Sequence, residues 1–177
     1  FGTEEVAARF KADAAIVTEP SHLELTIAHR GFAWFDVTVH GRAAHGSRPE
    51  LGIDAIAKAG KFLVALEDYD KRLRAKPTHA LLKSGSVHAS LISGGEEISS
   101  YPAECRISLE RRTIPGETPQ SVERELQAII DGIAASDPDF RASIKAGLSR
   151  PPFEVGEGEP VVVALNAAAT QHLGRAP

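Results

Sequence analysis

A single cysteine, Cys105, stands in the 177 residues, so no internal disulfide can form. It lies in the alternating run Cys105, Ile107, Leu109, which reads as a small buried hydrophobe and not as a nucleophile. No apolar run approaches the ~20 residues a membrane-spanning helix needs, and no segment has the layout of a secretory signal. Both absences favour the cytoplasm and no membrane partner. Lys and Arg number 20 against 24 Asp and Glu, for a net charge of −4, and no basic block is interleaved with aromatics. A nucleic-acid partner is therefore not expected. The seven histidines contain neither an H-x-x-x-H pair nor an H-E-x-x-H helix. The chain opens FGTEEVAARF without an initiator Met, and we expect both ends to be cuts in a longer protein.

What is present suffices for one real core: 42% of residues are hydrophobic and 25% charged. Residues 1–21 read as a short helix, then a continuous apolar strand at Ala14–Val17, then a turn at Thr18–Ser21. So apolar a strand suggests a sheet covered on both faces, which so little chain cannot supply. Residues 22–151 carry their own pattern. It predicts a strand with Leu23, Leu25 and Ile27, a turn at His29–Gly31, and a strand over 32–40 in which Ala33, Phe35, Val37 and Val39 alternate with Trp34, Asp36, Thr38 and His40. A helix follows over about 54–74. Phe62, Leu63, Leu66 and Tyr69, spread round it, give it more apolar surface than one core face needs. Next come a strand with Val87, Ala89 and Leu91, a turn at Gly94–Gly95, and a strand over 104–112. Thr118 caps a second helix, Pro119 takes its first turn, and Val122, Leu126, Ile129, Ile130 and Ile133 recur at helical spacing. A strand from Phe140 to Ala146 closes the unit, and a last helix begins near Val161. The expected fold is α+β: a two-layer, ferredoxin-like sandwich of a mainly antiparallel sheet with two helices on one face. The whole reads as a domain of residues 22–151 inserted into another, with host segments at 1–21 and 152–177.

The most informative stretch is VHGRAAHGSRPELGIDAI, Val39 to Ile56. A strand ends at Gly41, and a small-residue loop with Ala43, Ala44 and Gly46 presents His45 ahead of a helix that Asp54 caps. Binding and catalytic groups concentrate in loops on a rigid scaffold, and an imidazole changes charge near neutral pH. On the residues alone such a histidine is more often solvated or capping a helix, and a free-standing α+β ligand-binding or oligomerisation module stays open.

Four motifs in order, IVTEPS, HGRAAHGSRPELGIDAI, the Gly94–Gly95 turn and ECRISLERRTIPGET, resemble the dimerisation (lid) domain of the dizinc family of acetylornithine deacetylase, succinyl-diaminopimelate desuccinylase, aminoacylase and carboxypeptidase G. The resemblance covers nearly the whole chain. It implies a homodimer through the lid and hydrolysis of the amide of an N-acyl amino acid or small peptide. It further implies two zinc ions per intact site, with cobalt as an alternative. A carboxypeptidase or aminopeptidase of the same family is the other activity it allows. Within it Glu19, before the Pro of the E-P turn, matches a metal ligand. His45 matches the histidine that reaches the active site of the other subunit and donates to the oxyanion. Arg112 matches the arginine that takes the substrate carboxylate, with Arg111 the weaker candidate on the other face. Ser99 stands where many relatives have a substrate-binding Asn, which leaves the usual polar contact open, and Tyr101 reads as packing. The remaining ligands and the catalytic Glu have no counterpart here, so these residues alone are expected to be inactive.

Overall fold

The computed structural model describes residues 2–177 and separates into two compact units, one of residues 28–153 and one of residues 1–27 with 154–177. The larger unit is built on four strands, β2 (Gly31–His40), β4 (Ser86–Gly94), β6 (Glu104–Thr113) and β7 (Arg141–Arg150), and two helices, α2 (Ala55–Ala75) and α3 (Pro119–Ser136). The remaining elements are α1 (Gly2–Arg9), α4 (Pro160–Leu173) and the two-residue strands β1 (Ala28–His29), β3 (Ala44–His45), β5 (Ser100–Tyr101) and β8 (Phe153–Glu154). The sheet order is β4-β6-β2-β7, every neighbour antiparallel. With each helix bridging two strands, this is the ferredoxin-like α+β sandwich expected from the sequence.

Strand alternation decides which face is the core. Ala33, Phe35, Val37 and Val39 of β2 and Cys105, Ile107 and Leu109 of β6 are buried, while Trp34, Asp36 and His40 are exposed. Against the buried face α2 lays Ala55, Ala59, Phe62, Leu66 and Tyr69, and α3 lays Val122, Leu126 and Ile130. Phe62, Leu66 and Tyr69 thus belong to the core and Leu63 packs partly against it, which corrects the expectation that they furnish surplus surface. They sit at i, i+4 and i+7, one face and not a spread. Burial also pushes the Cys105 thiol up, in keeping with an inert hydrophobe.

Helix ends follow their sequence signals. Asp54 accepts from Ala57 N–H at 2.9 Å. Thr118 accepts from Ser121 N–H while Ser121 Oγ accepts from Thr118 N–H, a reciprocal cap.

In the smaller unit two expected strands are absent. Residues 14–17 take no regular structure and pair with no strand among the described residues, and Ile16 is 59% and Val17 77% exposed. The turn falls at His22–Leu23, both at positive φ (56° and 63°), and Ser21 O accepts from Glu24 N–H across it. That left-handed pair breaks the extended run expected at Leu23, Leu25 and Ile27.

Two buried charges fasten the layers. Arg111, 0% exposed, points into the core from β6, donates to Glu117 Oε1 at 2.6 Å and to Tyr69 Oη at 3.3 Å, and also bonds Arg112 O. It is a structural residue, closed to any ligand. Asp137, the C-cap of α3, takes Lys58 Nζ at 2.6 Å and Lys61 Nζ at 2.8 Å, both from α2. The Lys58 and Lys61 ammonium groups hold its carboxyl well below the usual carboxylate range. In the unfolded chain the same group titrates near pH 4. The unfolded state therefore binds the extra proton first, and the stabilisation is complete above about pH 4 and is lost as pH falls below it. Asp137→Asn is expected to lower the urea midpoint at neutral pH, and the gap to wild type should close as the pH is taken below about 4. A gap that stays constant down to acid pH would show that the charge contributes nothing.

Candidate functional site

His45 is carried by a miniature antiparallel pairing: β3 meets β5, Ala44 opposite Tyr101 and His45 opposite Ser100. Gly46 N–H donates to Ser99 O at 2.6 Å, and a Cβ on Gly46 would stand 2.9 Å from that oxygen. Glycine is required there because the two backbones approach closely. Behind them the Tyr101 ring lies against Gly52, which is the packing role expected of it. The loop closes with Arg48 N–H donating to His45 O at 2.8 Å, and Arg42 Nε bonds Leu51 O.

The imidazole is exposed and fixed from one side only. Its Nδ1 lies 2.8 Å from Ser47 Oγ and 3.2 Å from Ser47 N, and Nε2 engages no described residue. Glu97 stands near enough to interact electrostatically with His45; hydroxyl bonds from Ser100 and Ser99, then His45, hold its carboxyl below the usual range. Ser99 is thus beside His45, with its hydroxyl turned to Glu97 and its carbonyl to Gly46. Ser47 and Glu97 carry none of the motifs that single out His45 in the sequence. The H-x-S spacing is visible for Ser47, whereas Glu97 has no local signal. Alongside runs a hollow of about 420 Å³ bounded by Ala43, Gly95, Glu97, Ser100, Tyr101 and Arg106. A larger one, about 620 Å³, opens between α2 and α3, in the helical layer and lined by none of these residues.

Arg112 is elsewhere. It lies on the sheet face away from the helices, 34% exposed, with Nη2 donating to Arg30 O at 3.3 Å and Nη1 3.7 Å from Glu110 Oε1. Arg30 in turn donates to Leu82 O and Ser84 O at 2.5 and 3.1 Å. Beside this cluster Trp34 donates to Glu110 Oε1 at 3.2 Å and stacks obliquely on Phe32. The β3–β5 pairing adjoins the Glu104 end of β6, and Arg112 is at the Thr113 end. At the ~3.4 Å rise of an antiparallel strand, Arg112 is about 27 Å along β6 from Glu104. The structure therefore brings His45 and Ser99 together and leaves Arg112 a strand's length away.

Glu19 is exposed in the smaller unit. Among the described residues no three His, Cys, Asp or Glu side chains gather to hold a metal, and a catalytic zinc takes three protein ligands, so one carboxylate does not constitute a metal site. No helix among the described residues is long and apolar enough to cross a membrane.

The sequence profile of the peptidase dimerisation domain matches residues 27–138, and the chain belongs to that family. An acetylornithine deacetylase from Myxococcus xanthus is 32% identical over 144 residues, covering 76% of this chain and 36% of the relative. One from Buchnera aphidicola subsp. Schizaphis graminum is 29% identical over 154 residues, covering 86% and 40%. The crystal structure of the aminopeptidase PepT from Bacillus cereus superposes with a TM-score of 0.65 at 21% identity, over 87% of this chain and 38% of that one, a likeness of fold. The chain thus spans between about a third and two-fifths of the length of the relatives it matches.

If close approach at Gly46 is what holds the His45 loop, Gly46→Ala should cost the β3–β5 pairing about 1–3 kcal/mol. Amide exchange at residue 46, followed by NMR, is expected to accelerate tenfold or more, and an unchanged rate would remove the constraint.

Proposed function

We propose that this chain is the dimerisation domain, with adjoining parts of the catalytic domain, of a zinc-dependent amidohydrolase that deacylates N-acyl amino acids. The observation that carries this reading is the exposed His45 imidazole held by Ser47 on the close-packed β3–β5 pairing, in a chain 32% identical to an acetylornithine deacetylase over 144 residues. Deacylation is favoured over peptide cleavage because the curated relatives align over most of the chain as deacetylases, whereas the aminopeptidase shares the fold at lower identity. We assign Glu19 as one carboxylate of the metal centre and residues 1–27 and 154–177 to the catalytic domain.

In this reading His45 donates to the oxygen that becomes negative as the amide carbonyl turns tetrahedral, worth about 2.7–4 kcal/mol at the transition state. Arg112 takes the free carboxylate of the amino acid with its planar fork, and Ser99 lines the His45 side. A small substrate cannot reach both ends of β6, so the strand's length that separates the His45 side from Arg112 supports their serving different active sites. Two copies of the domain then complete each other's sites.

The two sheet edges support one pairing surface over the other. β7 bears Arg141, Lys145 and Arg150, charges that discourage strand addition, whereas β4 carries no Lys or Arg. The edge of β4 carries exposed Leu91 and Ile92. Above it runs the flank of α2 turned away from α3, with exposed Ile56 and Val64 on either side of Gly60. A Cβ on Gly60 would meet nothing within 4 Å, so the ~1 kcal/mol that glycine costs a helix has no reason inside this copy. Close approach of a second helix supplies one.

Two outcomes check the reading. In the full-length enzyme His45→Ala should lower kcat by roughly 10²–10³ with KM little changed. Mixing it with Glu19→Ala subunits should restore one site in two, and no recovery after proven subunit exchange would exclude action across subunits. For the interface, Gly60→Leu should weaken dimerisation about tenfold or more, read by light scattering over a concentration series. A wild-type chain that stays monomeric at high micromolar concentration would reject that surface.

A further inference from the structure

We propose that Ser47 is the positioning residue that fixes His45 as an Nε2–H donor. The backbone N–H of Ser47 can only donate, and its partner at 3.2 Å is Nδ1 of His45. Nδ1 must therefore present its lone pair. In a neutral imidazole the proton is then on Nε2, the nitrogen that engages no described residue. The Ser47 hydroxyl, at 2.8 Å, can donate or accept, and with Nδ1 already a lone pair it donates. The alternative tautomer would aim an N–H at the Ser47 backbone N–H and lose that bond, keeping only the hydroxyl as an acceptor. Ser47 is itself anchored, since it sits in the turn closed by Arg48 N–H on His45 O, and the preceding Gly46 is pinned to Ser99 O at 2.6 Å. Side chain and backbone of one residue, two positions on from the histidine, set which ring nitrogen carries the proton.

The inference rests on His45 acting as a hydrogen-bond donor, for which an Nε2–H is the form needed, but the tautomer can be read without any turnover. Long-range ¹H–¹⁵N NMR of the imidazoles in the 177-residue chain, above the histidine titration and with His45→Gln to assign the signals, distinguishes the two tautomers. The wild type should show His45 wholly as Nε2–H. Ser47→Ala removes the shorter bond and should admit a measurable Nδ1–H fraction. Ser47→Asp places an acceptor-only carboxylate there and should draw the proton to Nδ1, reversing the ring. Ser47→Thr keeps the hydroxyl and should match wild type. A wild-type ring with its proton on Nδ1, or a Ser47→Asp ring still protonated on Nε2, would overturn the proposal. In the full-length enzyme Ser47→Asp should then reduce kcat toward the His45→Ala value without raising KM. If the tautomers respond as stated while His45→Ala leaves kcat intact, Ser47 keeps its role and the oxyanion assignment falls.

Discussion

Ten residues of β2 face ten of β6 without a slip, from Gly31 opposite Thr113 to His40 opposite Glu104. Side chains alternate along both strands, so moving the register by one residue would turn Phe35, Val37 and Val39 into solvent and bring Trp34, Asp36 and Thr38 into the core. Both helices dock on the face this pairing defines. The pairing also sets where the candidate residues stand: the β3–β5 pairing that carries His45 adjoins one end of β6, and the Arg112 cluster forms at the other. A slip would change both at once.

Much of this was legible because it is local. Alternation over residues 33–39 and 105–109, the Asp54 and Thr118 caps and the 3.6-residue spacing of α3 each state their structure within a few positions. The failures are of two kinds. Ala14–Val17 has strand composition, yet a strand requires a neighbour, and composition does not say whether one is there. Phe62, Leu66 and Tyr69 were assigned by the quantity of apolar surface, when their phase on the helix already placed them on one face. Of the candidate site, His45 was visible from its setting, and Arg112 only through resemblance, since an arginine at a strand end has no local mark. Glu97 comes to His45 across the chain.

The charged core was the least legible part. Alternation placed Arg111 on the face opposite Arg112, but nothing nearby announces that Glu117 and Tyr69 enclose it. Asp137 likewise reads as a loop residue until Lys58 and Lys61 reach it from a helix some 76 positions earlier. Removing one partner of a buried pair such as Arg111 and Glu117 typically costs about 3–5 kcal/mol, because the buried charge is left without water or counter-ion. These clusters therefore act as checks on layer alignment, tolerating one docking of α2 and α3 and penalising others.

The unlike edges of the sheet carry a consequence for stoichiometry. A sheet with two receptive edges can add copies at both and grow into a ribbon. Here the β7 side is guarded by Arg141, Lys145 and Arg150, and the β4 side carries no Lys or Arg. Two copies that meet edge to edge about a twofold axis consume the single receptive edge each possesses. In the proposed dimer growth would stop at two, because the charged edge offers a third copy no place to join.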